Sequence, residues 1–214
     1  MPLRPAPKQA RAKQTRLRLL ESAVDRLAEN GWAATTVADI SKHAQATRGA
    51  AGYYFPTRAD LVTAAVAEIV ESRMLDIVEA ARSIDTDEPD GLRTVVRYLF
   101  DAFASPLFKA ALHLVVAAVG DHDLRHDVTT LQKRIGRATH TAAASALNVD
   151  DSDPATHRLV QATLDLARGL ALADLLTDDT ERRHSIADQW AASLESSVLR
   201  RPTSTRNPPE PSNP

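Results

Sequence analysis

The sequence predicts an all-α protein. It should have a small amino-terminal three-helix domain holding a helix-turn-helix, then a larger helical domain, about nine helices in total. Three observations point there. Aromatic residues are 4% of the 214 residues against 43% hydrophobic overall, which favours helices packed through alanine and aliphatic side chains. No stretch alternates apolar and polar residues over a useful strand length. Proline is kept out of helix interiors. Pro2, Pro5 and Pro7 lie at the amino end, and Pro202, Pro208, Pro209, Pro211 and Pro214 at the carboxyl end. The remaining four, Pro56, Pro89, Pro106 and Pro154, fall where the helical pattern breaks.

Composition narrows the function classes. The chain has no cysteine, which excludes disulfides, thiolate chemistry and cysteine-ligated zinc. The longest apolar run, residues 112–119, carries His113 and is too short to span a bilayer. The amino end is basic without an apolar signal core, so a soluble, cytoplasmic protein is expected. Net charge is −2, yet it is unevenly spread. Residues 1–58 carry ten Lys or Arg against four acids, so the remainder sums to −8. A basic head on an acidic body suits a phosphate-binding module joined to a separate regulatory one.

The elements follow in order. Residues 1–10 form a flexible basic arm in which Arg4 and Lys8, with Arg11 and Lys13 just beyond, are placed to reach phosphates or a minor groove. Solubility alone explains such a tail equally well. The first helix starts near Lys8 or Arg11, buries Leu17, Leu20, Val24, Leu27 and Ala28, and ends at Asn30-Gly31 in a left-handed cap. Thr36 caps a short second helix, with Asp39 at the capping-box position and Val37, Ile40 and Ala44 on its buried face. Ala44-Gln45-Ala46 breaks the pattern, and Thr47 caps a third helix running to about Tyr54. Two short helices joined by a three-residue turn make a helix-turn-helix, with the second suited to a DNA major groove.

Beyond residue 56 the body begins. Thr57 caps a fourth helix, with Asp60 at the box position, that reaches about Ser83 and links the head to the body. Residues 85–91 are an acidic loop. A fifth helix covers residues 92–104. Ser105-Pro106 opens a sixth that is apolar nearly all round. The seventh carries Leu124, Val128, Leu131, Ile135, Ala138 and Ala142 at helical spacing. Asp153-Pro154 opens the eighth, to about Leu176, and the ninth runs over residues 180–200 with Ile186, Trp190, Leu194 and Val198 at every fourth position. Domains are therefore set at 1–10, 11–56, 57–200 and a disordered tail 201–214.

Ala46-Thr47-Arg48-Gly49, followed by Tyr54-Phe55-Pro56-Thr57-Arg58-Ala59-Asp60-Leu61, resembles the signature of the TetR-like (tetracycline-repressor) family of one-component transcriptional regulators. The likeness runs back through Gly31-Trp32 and Thr35-Thr36-Val37 to the first helix, covering about 50 residues. Residues 117–125, Ala-Ala-Val-Gly-Asp-His-Asp-Leu-Arg, resemble the family's regulatory domain more loosely. The resemblance implies a homodimer on double-stranded operator DNA, most simply a repressor released from a palindrome by a small-molecule effector. Two positions depart from the pattern. Gln45 stands where glycine is common, and Gly52 where an aromatic phosphate contact usually sits.

Candidate residues follow from chemistry and resemblance together. Arg48 in the first turn of the third helix suits guanine O6 and N7; Thr47, Tyr53 and Tyr54 join it, although Tyr54 equally well closes the small core, and Ala50 suits a thymine methyl. Thr36, Lys42 and Arg58 are placed as phosphate contacts. Polar residues that interrupt apolar helices, His113, Asp165 and Arg168, with Tyr98, Phe103 and Val116, are candidates for an effector pocket, although His113 reads first as a satisfied core histidine. Asp165 and Arg168 are also spaced to pair with each other. The resemblance puts a dimer interface on the last two helices, at Leu164, Leu172, Leu175, Ile186, Trp190 and Leu194. His122 and His126 are four apart beside Asp123 and Asp127, which raises metal; they are read as a solvated helix start. No cofactor or metal is expected. There is no phosphate loop, HExxH or nucleotide-binding glycine turn, so no enzyme is expected either. The alternative is a helical adaptor with ligand-independent or non-specific DNA attachment.

Overall fold

The computed structural model describes residues 7–84 and 90–199, and among them finds nine α-helices and no strand. These are α1 (Pro7–Ala34), α2 (Val37–His43), α3 (Arg48–Tyr54), α4 (Arg58–Arg82), α5 (Gly91–Phe103), α6 (Pro106–Gly120), α7 (His122–Ala146), α8 (Pro154–Ala173) and α9 (Thr180–Leu199). Arg4 and the rest of residues 1–6, the acidic segment 85–89 and the tail from residue 200 lie outside the described residues. No single described helix is long and apolar enough to cross a membrane; α5 and α6 reach that length only as a pair bent by 50°.

Helix starts are written into short-range side-chain chemistry. The Thr36 hydroxyl accepts from the Asp39 amide at 3.1 Å and Thr47 from the Ala50 amide at 3.1 Å. Thr57 and Asp60 form a full reciprocal capping box at the start of α4. Ser105, Asp121 and Asp153 cap α6, α7 and α8 in the same way. Each bond satisfies an amide that the first helical turn leaves without a partner.

Three features differ from the sequence expectation. α1 already starts at Pro7, which proline tolerates because its missing N–H is not needed in a first turn. It breaks at Gly31 (φ 69) and then adds one more turn to Ala34. Asp39 does not close a capping box on Thr36, because Arg26 of α1 takes its carboxylate at 2.8 Å. The inward face of α9 is Arg183, Ala187, Ala191 and Leu194, with Ile186 and Trp190 half-buried at its border. Small alanines let α9 lie close against α5, while Trp190 is held at the edge by its Nε1–H, which donates to Thr163 Oγ1 at 2.9 Å. The side chain of Val198 lies outside the described residues.

The interior divides into two apolar clusters. One joins α1, α2 and α3 to the first part of α4, to Ala110, Leu114 and Ala118 of α6, and to Leu124, Val128 and Leu131 of α7. The other joins the end of α4 to α5, the end of α7, α8 and α9, around Phe100, Leu164 and Leu170. The head therefore shares one continuous core with α6 and α7, with no break in packing at residue 56. Charged clasps tie the surface: Arg134 to Glu71 (α7 to α4, 2.5 and 2.7 Å) and Arg97 to Asp188 (α5 to α9, both 2.5 Å).

Candidate nucleic-acid interface and inner cavity

α2 and α3 meet through a turn whose middle residue, Gln45, has φ 51. A left-handed residue at that point reverses the chain within three residues, at a cost of about 1–2 kcal/mol for a non-glycine side chain. α3 then presents two faces. Ala51 and the following Phe55 are buried against the head's core. Arg48, Gly49, Gly52 and Tyr53 all lie exposed, and Tyr53 is 83% exposed. A Cβ added at Gly52 would meet nothing within 4 Å. The outer face is thus flat at two glycines, flanked by a cation and a phenol. Lys42 and Thr36 are exposed on the neighbouring helix start and end, and Ala50 is half-buried at the rim.

Two of the expected contacts have other employment. Tyr54 is half-buried, and its hydroxyl donates to the Ala12 carbonyl of α1 at 3.2 Å. Arg58 donates to the carbonyls of Trp32 (3.1 Å) and Thr35 (3.0 Å), and its guanidinium stacks over the Trp32 ring at 3.8 Å. A single guanidinium nitrogen, Nη1, serves both carbonyls, so this cation is drawn inward as a brace. A sequence string gives no hint of that, because both partners lie more than twenty residues away.

The head is fastened to the body by a second brace. Arg16 of α1 pairs with both oxygens of Glu68 of α4. That hydrogen bond holds the Glu68 carboxyl below the ordinary carboxylate range. Deeper, the His113 ring of α6 lies against Gly31, with Nδ1 3.4 Å from where a Cβ would be. His113 therefore fills the contact between head and body.

A largely apolar cavity of the body, about 340 Å³, lies among α4, the end of α5, α6, α7 and α8. Phe103 and Arg168 line it, as the sequence suggested; so do Met74, Phe108, Gln132, Ile135 and Thr139. Arg168 sits 5.6 Å over the Phe103 ring and bonds Asp165 at 2.6 Å. The other expected lining residues are elsewhere. Asp165 is exposed, Val116 is 62% exposed, and Tyr98 borders a separate groove of about 870 Å³ between α1, α4 and α5. α7's contribution was missed because its stripe reads as plain core; the polar Gln132 and Thr139, a helical two turns apart, were the available signal.

The expected dimer residues also divide. Leu164 and Leu194 are buried in the protomer's own core. Ile186 and Trp190 pack beside them, and Leu175 is half-buried. Leu172 remains half-exposed, and Leu176, which was not singled out, is 94% exposed. His122 and Asp123, at the start of α7, are fully exposed.

Comparison with known proteins agrees with this geometry. Residues 19–65 match the family model for bacterial regulatory proteins of the tetR family. The chain is 26% identical over 177 residues to the HTH-type transcriptional regulator CymR of Pseudomonas putida, covering 80% of this chain and 85% of that one. A solved transcriptional regulator from Pseudomonas aeruginosa PAO1 shares the fold with a TM-score of 0.67 at 17% identity, over 92% of this chain and 96% of that one. FadR of Bacillus subtilis, solved with stearoyl-CoA, aligns with a TM-score of 0.57 at 15% identity, over 83% and 96%.

Proposed function

From the match of residues 19–65 to the tetR-family model we infer that the chain is a TetR-family regulator, a dimeric repressor released from a palindromic operator by a small, mainly apolar effector. The observation that carries this reading is the bare outer face of α3 on a rigidly braced head. Arg48 is exposed there without a side-chain partner among the described residues, beside two glycines that allow close approach of a backbone. Arg48 reads guanine edges, Tyr53 replaces the aromatic contact missing at Gly52, and Ala50 meets a thymine methyl at the rim. Thr36, Thr47 and Lys42 position the head on phosphates. Tyr54 and Arg58 act from behind, by fixing α3 and α4 against α1.

The effector fits the cavity among α4, α6, α7 and α8, whose volume suits a small ligand. Arg168 supplies a cation at its wall for an acceptor or anionic group. Because α4 and α6 form one wall and also pack on α1, filling the cavity shifts the helices that hold the head. Ligand and operator then antagonise each other through their unequal affinity for two arrangements. The exposed Leu172 and Leu176 support pairing of two protomers at the end of α8.

The test is fluorescence anisotropy on DNA from upstream of the protein's own gene, against scrambled DNA, with Arg48→Ala beside the wild type. Saturable binding of two protomers per site, lost in the variant, is expected. Specific recognition should exceed binding to bulk DNA by about 10³-fold. Equal, salt-dominated affinity for both DNAs, found also with fragments selected from the whole genome, would overturn the reading in favour of an adaptor.

A further inference from the structure

Three metal-binding side chains meet where α7 hands over to α8. His140 lies near the end of α7, Asp151 in the connecting loop and His157 in the first turns of α8. His140 Nε2 is 2.8 Å from Asp151 Oδ1, and His157 Nδ1 is 3.1 Å from the same oxygen. The two rings face each other with centroids 4.2 Å apart, and all three ligand atoms lie within 4.8 Å of one another. The His140 side chain is 12% exposed, Asp151 35% and His157 53%, so the site is fixed on its inner side and open to water on its outer side.

From this convergence we propose that His140, Asp151 and His157 bind a divalent transition-metal ion of the zinc class and clip α7 to α8. Two imidazoles and one carboxylate are a donor set that suits zinc, cobalt or nickel and does not suit calcium or magnesium, which prefer oxygen alone. A tetrahedral ion with bonds of about 2.0–2.1 Å needs ligand atoms about 3.3 Å apart. The spacings of 2.8 and 3.1 Å to Asp151 reach that by a few tenths of an ångström, and the two histidine nitrogens, within 4.8 Å of each other, close on the ion by rotation of the side chains. Each imidazole turns one nitrogen inward and keeps a second that can carry its proton away from the ion. Water completes the fourth position on the open side, so three protein ligands suffice.

The site is distinct from the exposed pair His122 and His126 at the other end of α7, which has no geometry in common with it. It is also distinct from the effector cavity, although Thr139, the residue before His140, lines that cavity. Pinning the α7–α8 junction stiffens one wall of the cavity without filling it.

The experiment uses the untagged full-length chain, stripped of metal and titrated with Zn²⁺ against a chromophoric chelator, and with Co²⁺ followed by its visible absorption. One ion per chain is expected, with tetrahedral cobalt bands and a raised thermal midpoint. His157→Ala, at the most exposed ligand, should keep the helical fold yet weaken binding at least about ten-fold; Asp151→Asn should do likewise. The double variant His122→Ala with His126→Ala should bind as the wild type does. Absence of stoichiometric binding would overturn the proposal, as would binding that survives His157→Ala and disappears in the double variant.

Discussion

Arg58 shows how one side chain can change meaning between string and structure. Its position beside the head, in a basic stretch, marks it for a phosphate. Its hydrogen bonds to the Trp32 and Thr35 carbonyls and its stacking on the Trp32 ring mark it as the pin that sets α4 on the head. Arg58→Ala should lower stability by about 1–3 kcal/mol, measured by denaturant unfolding. The discriminating readout is salt dependence of DNA binding. A lost phosphate contact reduces the slope of log affinity against log salt by about one, whereas loss of a pin leaves the slope unchanged. Gly31 has a similar hidden partner. With φ 69 and ψ 176, a backbone region essentially reserved for glycine, and the His113 ring in ordinary contact at its back, Gly31→Ala carries backbone strain of about 1–3 kcal/mol. A lowered thermal midpoint is expected, and a midpoint equal to the wild type would remove Gly31 from the contact between head and body.

Among elements, what was legible in the sequence is what is local. Thr36, Thr47 and Thr57 bond amides three residues ahead, so a cap is visible in the string itself. The apolar stripe of α7 was visible for the same reason, since its period needs no partner to be read. What escaped was every choice of partner. Arg26 takes Asp39 from across thirteen residues, and Leu164 and Leu194 turn into the protomer's core although their spacing suited an interface equally well. The site at His140, Asp151 and His157 is separated by a loop whose path no spacing rule fixes. The α1–α4 clasp carries a pH signature. Arg16 lowers the Glu68 carboxyl from its ordinary 4.5, so the folded state holds the charged form more tightly than the unfolded state does. Its stabilisation is complete above the unfolded value and is lost as pH falls through the lowered folded value. Both side chains are more than a third exposed, so the effect is small and weakened by salt. Comparing acid unfolding of the wild type and Glu68→Gln should show a stability gap at neutral pH that closes in the acid range.

At the scale of the whole molecule, the cavity and the reading face communicate only if filling one alters the other. Gly136 offers a direct test because it lines the cavity and a Cβ there meets nothing within 4 Å. Gly136→Leu should occupy the space without breaking α7, and replacing a mid-helix glycine gains about 0.8–1 kcal/mol in helix propensity. Operator affinity in the ligand-free state will then either persist with the effector response abolished, or fall because the side chain mimics the effector. Both outcomes tie the cavity to the head, and the effector titration followed by anisotropy separates them. An unchanged response would detach the cavity from regulation. The core shared by α1, α6 and α7 has a practical corollary for anyone wishing to build hybrid regulators. Ala110, Leu114 and Ala118 of the body are as much a part of the head's interior as Leu19 and Leu27. A graft made by cutting at residue 56 would leave that interior half-walled, and the recipient would have to supply a matching α6 surface. Transplanting this DNA specificity is better done by exchanging the outward side chains of α3 alone, leaving every seam of the donor protein where it is.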